Sequence, residues 1–164
     1  MSAKALERLQ ARFPNEIVST HAQQGDETAV VKRDHLVDVL TFLRDEPELK
    51  FDMPVDLTVV DWFRQREPRF DVVYHLLSTK TRQRVRLKVQ VDEDDARVPS
   101  SFSVWPGFDW YEREAYDLYG VVFEGHPNLK RILMYEGFEG HPLRKDYPIN
   151  KRQPIAPLIG EGAE

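Results

Sequence analysis

The run Phe123-Glu124-Gly125-His126-Pro127 returns fifteen residues later as Phe138-Glu139-Gly140-His141-Pro142. Histidine and glutamate are residue types that hold zinc or iron, so His126, His141, Glu124 and Glu139 would be the ligands of a free-standing metal-dependent hydrolase. The close ligand spacing of such a site, and the partners that orient its histidines, are missing from the sequence. The same residues read more simply as loop corners. Glycine before His-Pro permits a tight turn, proline fixes the next φ, and imidazole can hydrogen-bond backbone groups that a loop leaves unpaired.

Glu112, Glu114 and Asp117 are the other candidates, as carboxylates for general acid and base work. No nucleophile or metal accompanies them, and a charge-rich helix face in solvent or at an interface is the preferred reading. The absence of cysteine excludes disulfides, thiolate nucleophiles and Cys-held iron-sulfur clusters. The basic pairs Lys130-Arg131, Arg144-Lys145 and Lys151-Arg152 are spaced among Tyr135, Phe138 and Tyr147. Nucleic-acid and acidic-lipid binders use such combinations, but arginine equally suits carboxylates at a protein interface. A formal net charge of −5 is the wrong sign for broad phosphate neutralisation, so no nucleic-acid partner is expected.

These candidates need a scaffold, and 164 residues with 41% hydrophobic and 31% charged side chains are enough for one cored domain. No apolar run approaches the ~18 to 20 residues of a membrane helix, so no direct membrane span is expected. The N-terminus lacks the apolar stretch of a secretory signal, which makes the cytoplasm the expected compartment.

Leu6, Leu9 and Phe13 mark a short amphipathic helix stopped by Pro14. Runs from Glu16 to Ala22 and from Thr28 to Lys32 read as strands joined by a turn. Asp34 is the expected N-cap of a helix to Asp45, with Leu36, Val39, Leu40 and Leu43 on its apolar face and Glu46-Pro47 ending it. Three alternating patterns follow, around Val55 to Val59, Phe70 to Leu76 and Val85 to Val91, the last two close enough to pair as an antiparallel hairpin. A further helix starts near Trp105-Pro106-Gly107, with Tyr111, Ala115 and Leu118 on one side, Trp110, Arg113, Glu114 and Asp117 on the next, and Gly120 ending it. Arg113 and Asp117, four apart, are expected to pair. Strands and helices that do not alternate strictly predict an α+β fold, with a largely antiparallel or mixed sheet and helices on one face.

From Phe123 to Glu164 the chain holds five of its eleven prolines and five of its eight glycines. No long helix or strand fits there, yet Ile132, Leu133, Met134, Tyr135, Phe138, Leu143, Tyr147, Ile149, Ile155, Leu158 and Ile159 are too apolar for a solvated linker. The expectation is a body over residues 1–122 and an extended C-terminal arm over 123–164 that binds a partner.

The segments Glu112-Arg113-Glu114-Ala115-Tyr116-Asp117-Leu118-Tyr119-Gly120-Val121, Gly125-His126-Pro127-Asn128-Leu129-Lys130-Arg131-Ile132-Leu133-Met134 and Gly140-His141-Pro142-Leu143-Arg144-Lys145-Asp146-Tyr147-Pro148 closely resemble the C subunit of proton-pumping NADH-quinone oxidoreductase, the bacterial respiratory complex I. The order of elements upstream resembles that family as well. The sister family, the J subunit of photosynthetic NAD(P)H-quinone oxidoreductases, has similar motifs, but Glu136-Gly137-Phe138-Glu139-Gly140-His141 is more similar to the respiratory type. No counterpart of the longer tail or the D-subunit fusion found in some members is expected after Pro157.

The resemblance implies a peripheral-arm subunit without catalysis or a redox centre of its own. NADH, FMN, iron-sulfur clusters and quinone would then lie in other subunits of a hetero-oligomer on the cytoplasmic side of the inner membrane. It implies docking chiefly on the D subunit, which carries the quinone site, with the B and I iron-sulfur subunits as possible neighbours. The docking role is carried over to Glu112, Arg113, Glu114, Asp117, His126, Pro127, Arg131, His141, Pro142, Leu143, Arg144, Lys145 and Asp146.

Overall fold

The computed structural model describes residues 3–153. Helix α1 (Ala3–Arg12) is followed by strands β1 (Ile17–His21) and β2 (Thr28–Val31), helix α2 (Leu36–Asp45) and strands β3 (Met53–Asp61), β4 (Phe70–Leu77) and β5 (Arg84–Val91). Then come the short strand β6 (Arg97–Pro99), helix α3 (Asp109–Tyr119) and strand β7 (Val122–Glu124). The larger sheet runs in the order β1-β2-β5-β4-β3. Its pairs are antiparallel except β2 with β5, which is parallel, so the sheet is mixed and the fold is α+β as expected.

Periodicity explains most of these elements. In α2, Leu36, Val39, Leu40 and Leu43 recur at helical spacing and are all fully buried. In β5, Val85, Leu87, Val89 and Val91 are buried while Arg86, Lys88 and Gln90 between them stay half-exposed, and β4 pairs with this strand as the expected hairpin. Asp34 is not the N-cap of α2. A 3-10 turn over Arg33–His35 precedes the helix, which puts His35 at the cap position without a side-chain cap bond and Asp34 inside the turn, 3.5 Å from the Arg33 guanidinium.

Two short elements escape the sequence patterns. Strands β6 and β7 lie parallel, Val98 opposite Phe123, and α3 is the crossover between them. Val98 and Phe123 are both buried in the core, so the first residues of the arm are anchored to the body. Helix α3 is seated by aromatic edges: Phe108 meets Tyr74 of β4 at 5.7 Å, Trp105 at 5.9 Å and Tyr111 at 6.2 Å. Phe108 and Tyr74, both fully buried, contribute about 1.5 to 3 kcal/mol each by leaving water, enough to fix the helix on the sheet.

Candidate functional site

Helix α3 carries two fully buried carboxylates, Glu112 and Asp117, where a solvated or interface face was expected. Glu112 lies four residues after Phe108 and three before Ala115, both buried, so it occupies a core position of the helix. Its Oε2 accepts the Ser100 hydroxyl at 2.6 Å, and its Oε1 accepts the Ser101 amide at 2.6 Å and the Ser101 hydroxyl. His126, whose side chain is fully buried, stands 4.0 Å away. Burial pushes the Glu112 carboxyl above its ordinary value, and the serine bonds only partly oppose this.

Asp117 meets a different set of groups. One oxygen accepts three successive backbone amides, Ile132 at 3.1 Å and Leu133 and Met134 at 2.8 Å each. The other accepts the Arg131 guanidinium at 2.7 Å. Burial pushes this carboxyl up too, but the Met134, Leu133 and Ile132 amides and Arg131 outweigh it and hold the group below the usual carboxylate range. The expected pairing of Arg113 with Asp117 does not form. Arg113 reaches instead to the carbonyls of Lys130 at 3.1 Å and Arg131 at 3.3 Å, because the chain from 130 to 134 runs alongside this face of the helix.

The end of α3 is completed by the second copy of the repeat. The last carbonyls of a helix have no partner within it. Here His141 Nδ1 donates to Asp117 O at 2.9 Å, the Leu143 amide to Leu118 O at 3.1 Å and Arg144 Nε to Tyr119 O at 2.6 Å. Cationic Arg144 at this end also complements the helix dipole. Gly120 makes the approach possible: its φ is +77°, and a Cβ there would stand 2.6 Å from His141 Nε2 and 2.8 Å from the Arg144 guanidinium.

A third cluster continues from the same motif. Arg69, almost fully buried, makes a bidentate pair with Asp61 at 2.9 and 2.8 Å and also reaches Asp146 and Glu93, each at 2.6 Å. Asp61 further accepts the Lys145 amide at 2.8 Å, and Arg144 reaches Glu93 at 3.3 Å. Asp61 keeps a low pKa because Arg69 and the Lys145 and Phe63 amides outweigh its burial, and Asp146 is held low chiefly by Arg69. Leu143, Arg144 and Lys145 thus bind three different groups of the body in succession.

The two histidines of the repeat do unlike things. His126 accepts the Asn128 amide on Nδ1 at 3.0 Å and turns Nε2 to Asp109, at the start of α3, whereas His141 caps the end of that helix. Eight residues of helix separate those anchors by about 12 Å, too far for one metal ion to join both imidazoles. Among the described residues, no group of three or more His, Cys, Asp or Glu is arranged to hold a metal. The glycines of both copies have positive φ, at Gly125 and Gly140, as corners require.

Of the residues expected to dock a partner, Glu112, Asp117 and His126 have buried side chains, and Arg131, His141, Arg144 and Asp146 are engaged with the body or the arm itself. Glu114, Pro127, Leu143 and Lys145 are exposed, and Arg113 and Pro142 are half-buried. Sequence reasoning did not single out Trp110, 70% exposed on the Arg113 face of α3, as a surface residue. Leu133 and Leu143 are 57% and 48% exposed, and Ile149 is fully exposed. Tyr135, Phe138 and Tyr147 pack on one another, with Phe138 stacked on Tyr147 at 6.1 Å and Tyr135 edge-on to Phe138 at 5.5 Å. Ile155, Leu158 and Ile159 lie outside the described residues.

The family model for the respiratory-chain NADH dehydrogenase 30 Kd subunit matches residues 29–153, from β2 through the whole described arm. The chain belongs to this family. It is 49% identical over 152 residues to the NADH-quinone oxidoreductase C subunit of Roseiflexus sp. (strain RS-1), covering 93% of this chain and 87% of that one. With the corresponding C subunit of Brucella ovis it shares 50% identity over 153 residues, 91% of this chain and 75% of the relative. Among solved structures, the trypsin-resistant fragment of Nqo5 superposes with a TM-score of 0.66 at 30% identity, over 76% of this chain and 99% of the fragment. A chain of the membrane-bound sulfane sulfur reductase, an archaeal respiratory membrane complex, gives a TM-score of 0.72 at 26% identity, over 90% of this chain and 85% of that one. Among the described residues of this 30 Kd family member, no helix is long and apolar enough to cross a membrane.

Proposed function

We propose that this chain is a non-catalytic structural subunit of a proton-translocating NADH-quinone oxidoreductase. Its body, residues 1–122, carries an arm, residues 123–164, that docks on the D subunit, the one with the quinone site. Electron transfer from NADH to quinone belongs to the whole complex, with FMN, the iron-sulfur clusters and quinone held by other subunits and the B and I subunits as further neighbours. The assembly places this chain at the cytoplasmic side of the inner membrane, attached through its partners. Family membership supports the complex. The observation that carries the docking role is the arm itself, which is fastened by polar bonds while Leu133, Leu143 and Ile149 face solvent.

The docking residues then divide by task. Trp110, Glu114, Pro127, Leu133, Leu143 and Lys145 offer the contact surface, with Arg113 and Pro142 at its margin. Glu112, Asp117, His126, Arg131, His141, Arg144 and Asp146 shape what that surface rests on. A few well-packed anchors supply most of the energy of a protein interface, and an exposed tryptophan such as Trp110 is a frequent one. The test is reconstitution of a complex lacking this subunit with the purified chain. Leu133→Ser with Leu143→Ser is expected to lose incorporation while keeping the melting temperature of the free chain. Normal incorporation of that double variant would refute docking through the arm.

A further inference from the structure

Leu133 and Leu143 are exposed for a reason internal to this chain. The Leu133 amide is bound by the Asp117 carboxylate and the Leu143 amide by the carbonyl of Leu118, successive residues at the end of one helix. Both side chains are therefore carried outward by backbone that faces the body. We propose that Asp117 is a positioning residue for docking: it folds the arm onto the free chain and holds Leu133 and Leu143 out, ready for two apolar sockets on a partner protein. This rests on the reading that the arm docks, and adds that the docking surface exists before the partner arrives.

Three observations converge on it. Three consecutive amides pointing at one oxygen form an anion cradle, a backbone arrangement that the carboxylate itself selects and that needs no other molecule. The cradle is closed by Arg131, which also donates to Gly140 O at 3.0 Å and so ties the stretch before the second His-Pro corner to the first. His141 and Arg144 fill the space that Gly120 leaves open, which fixes the position of Leu143 between them. An arm held this way loses little conformational freedom on binding, unlike a segment that folds on its partner. Association is then limited by orientation rather than by folding.

Hydrogen exchange on the free full-length chain tests the proposal. The amides of Ile132, Leu133, Met134, Leu143 and Lys145 are expected to exchange at least a hundredfold more slowly than in an unstructured chain. Asp117→Asn should speed the first three by tenfold or more, leave the amides of β4 and β5 protected, and slow association with the complex lacking this subunit by about tenfold. Leu133→Ala with Leu143→Ala should keep the wild-type exchange pattern and raise the dissociation rate instead. If Asp117→Asn does not fold, Arg131→Met keeps the three amide bonds of the cradle, removes its outer bond together with the tie to Gly140, and is read the same way. Unprotected arm amides in the free chain that become protected only in the complex would overturn preorganisation and leave docking intact. An Asp117→Asn arm that loosens yet associates at the wild-type rate would also overturn it. Unchanged affinity of the double alanine variant would instead overturn the docking reading.

Discussion

Two carboxylates five residues apart on α3 are equally hidden from solvent, yet their pKa values move in opposite directions. Glu112 accepts its bonds from Ser100 and Ser101, residues of the body, and burial prevails over them. Asp117 accepts its bonds from Arg131 and the 132–134 backbone, residues of the arm, and these prevail over burial. The first half of the helix is thus sewn into the core, and the second half is the post to which the arm is tied. Buried acid on this helix marks structure at one site and a mounting point at the other, and the partners of each carboxylate separate them.

The predictions that break or sharpen this contrast begin with Arg69. It serves body and arm together, so Arg69→Met should cost about 3 to 5 kcal/mol in urea unfolding by taking the cation from buried Asp61, and should also release Asp146. Gly120→Ala comes next. A strained φ and the clash with His141 should cost about 1 to 3 kcal/mol, with limited proteolysis cutting the arm before the body.

Acid should act on the arm side first. The folded pKa values of Asp61, Asp117 and Asp146 lie below their unfolded values, so their contribution is complete above the ordinary carboxylate value of about 4 and is lost as pH falls through the folded values. Measured from pH 6 down to pH 3 and referred to the intrinsic exchange rate at each pH, protection at Leu133 and Lys145 should therefore fall before that of β5. Glu112 has the opposite sign and the smallest effect. Its raised folded pKa means that its contribution is present below the unfolded value and is lost as pH rises through the folded one. Glu112→Gln should therefore gain on the wild type, by no more than about 1 kcal/mol, between pH 4 and pH 8 in urea midpoints. A gap that narrows with pH would show that the serine bonds, not burial, govern this site.

Much of the fold was legible because periodicity reports burial. The α2 face, the β4-β5 hairpin and the Gly120 stop all follow from spacing alone. Strands β6 and β7 were not legible, since three-residue parallel partners separated by a helix leave no pattern of alternation. The Arg113–Asp117 pair was misplaced because the four-residue rule describes an isolated helix, and here backbone groups of the arm outcompete it for both side chains. The spacing Phe108, Glu112, Ala115 was a readable sign that Glu112 is buried, with Ser100-Ser101 upstream as its partners. The Asp117 cradle had no such sign, because three backbone amides look alike in any sequence. Expecting corners at both Gly-His-Pro copies identified the local geometry, while the different tasks of His126 and His141 depend on tertiary contacts.

Site-specific photo-crosslinking in the assembled enzyme tests the central claim most directly, with a photoreactive residue placed in turn at Leu133, at Leu143 and at Lys80 on the exposed turn between β4 and β5. Docking through the arm predicts adducts to a neighbouring subunit from positions 133 and 143 and none from position 80. Adducts from position 80 alone, with the two leucine positions silent, would contradict it.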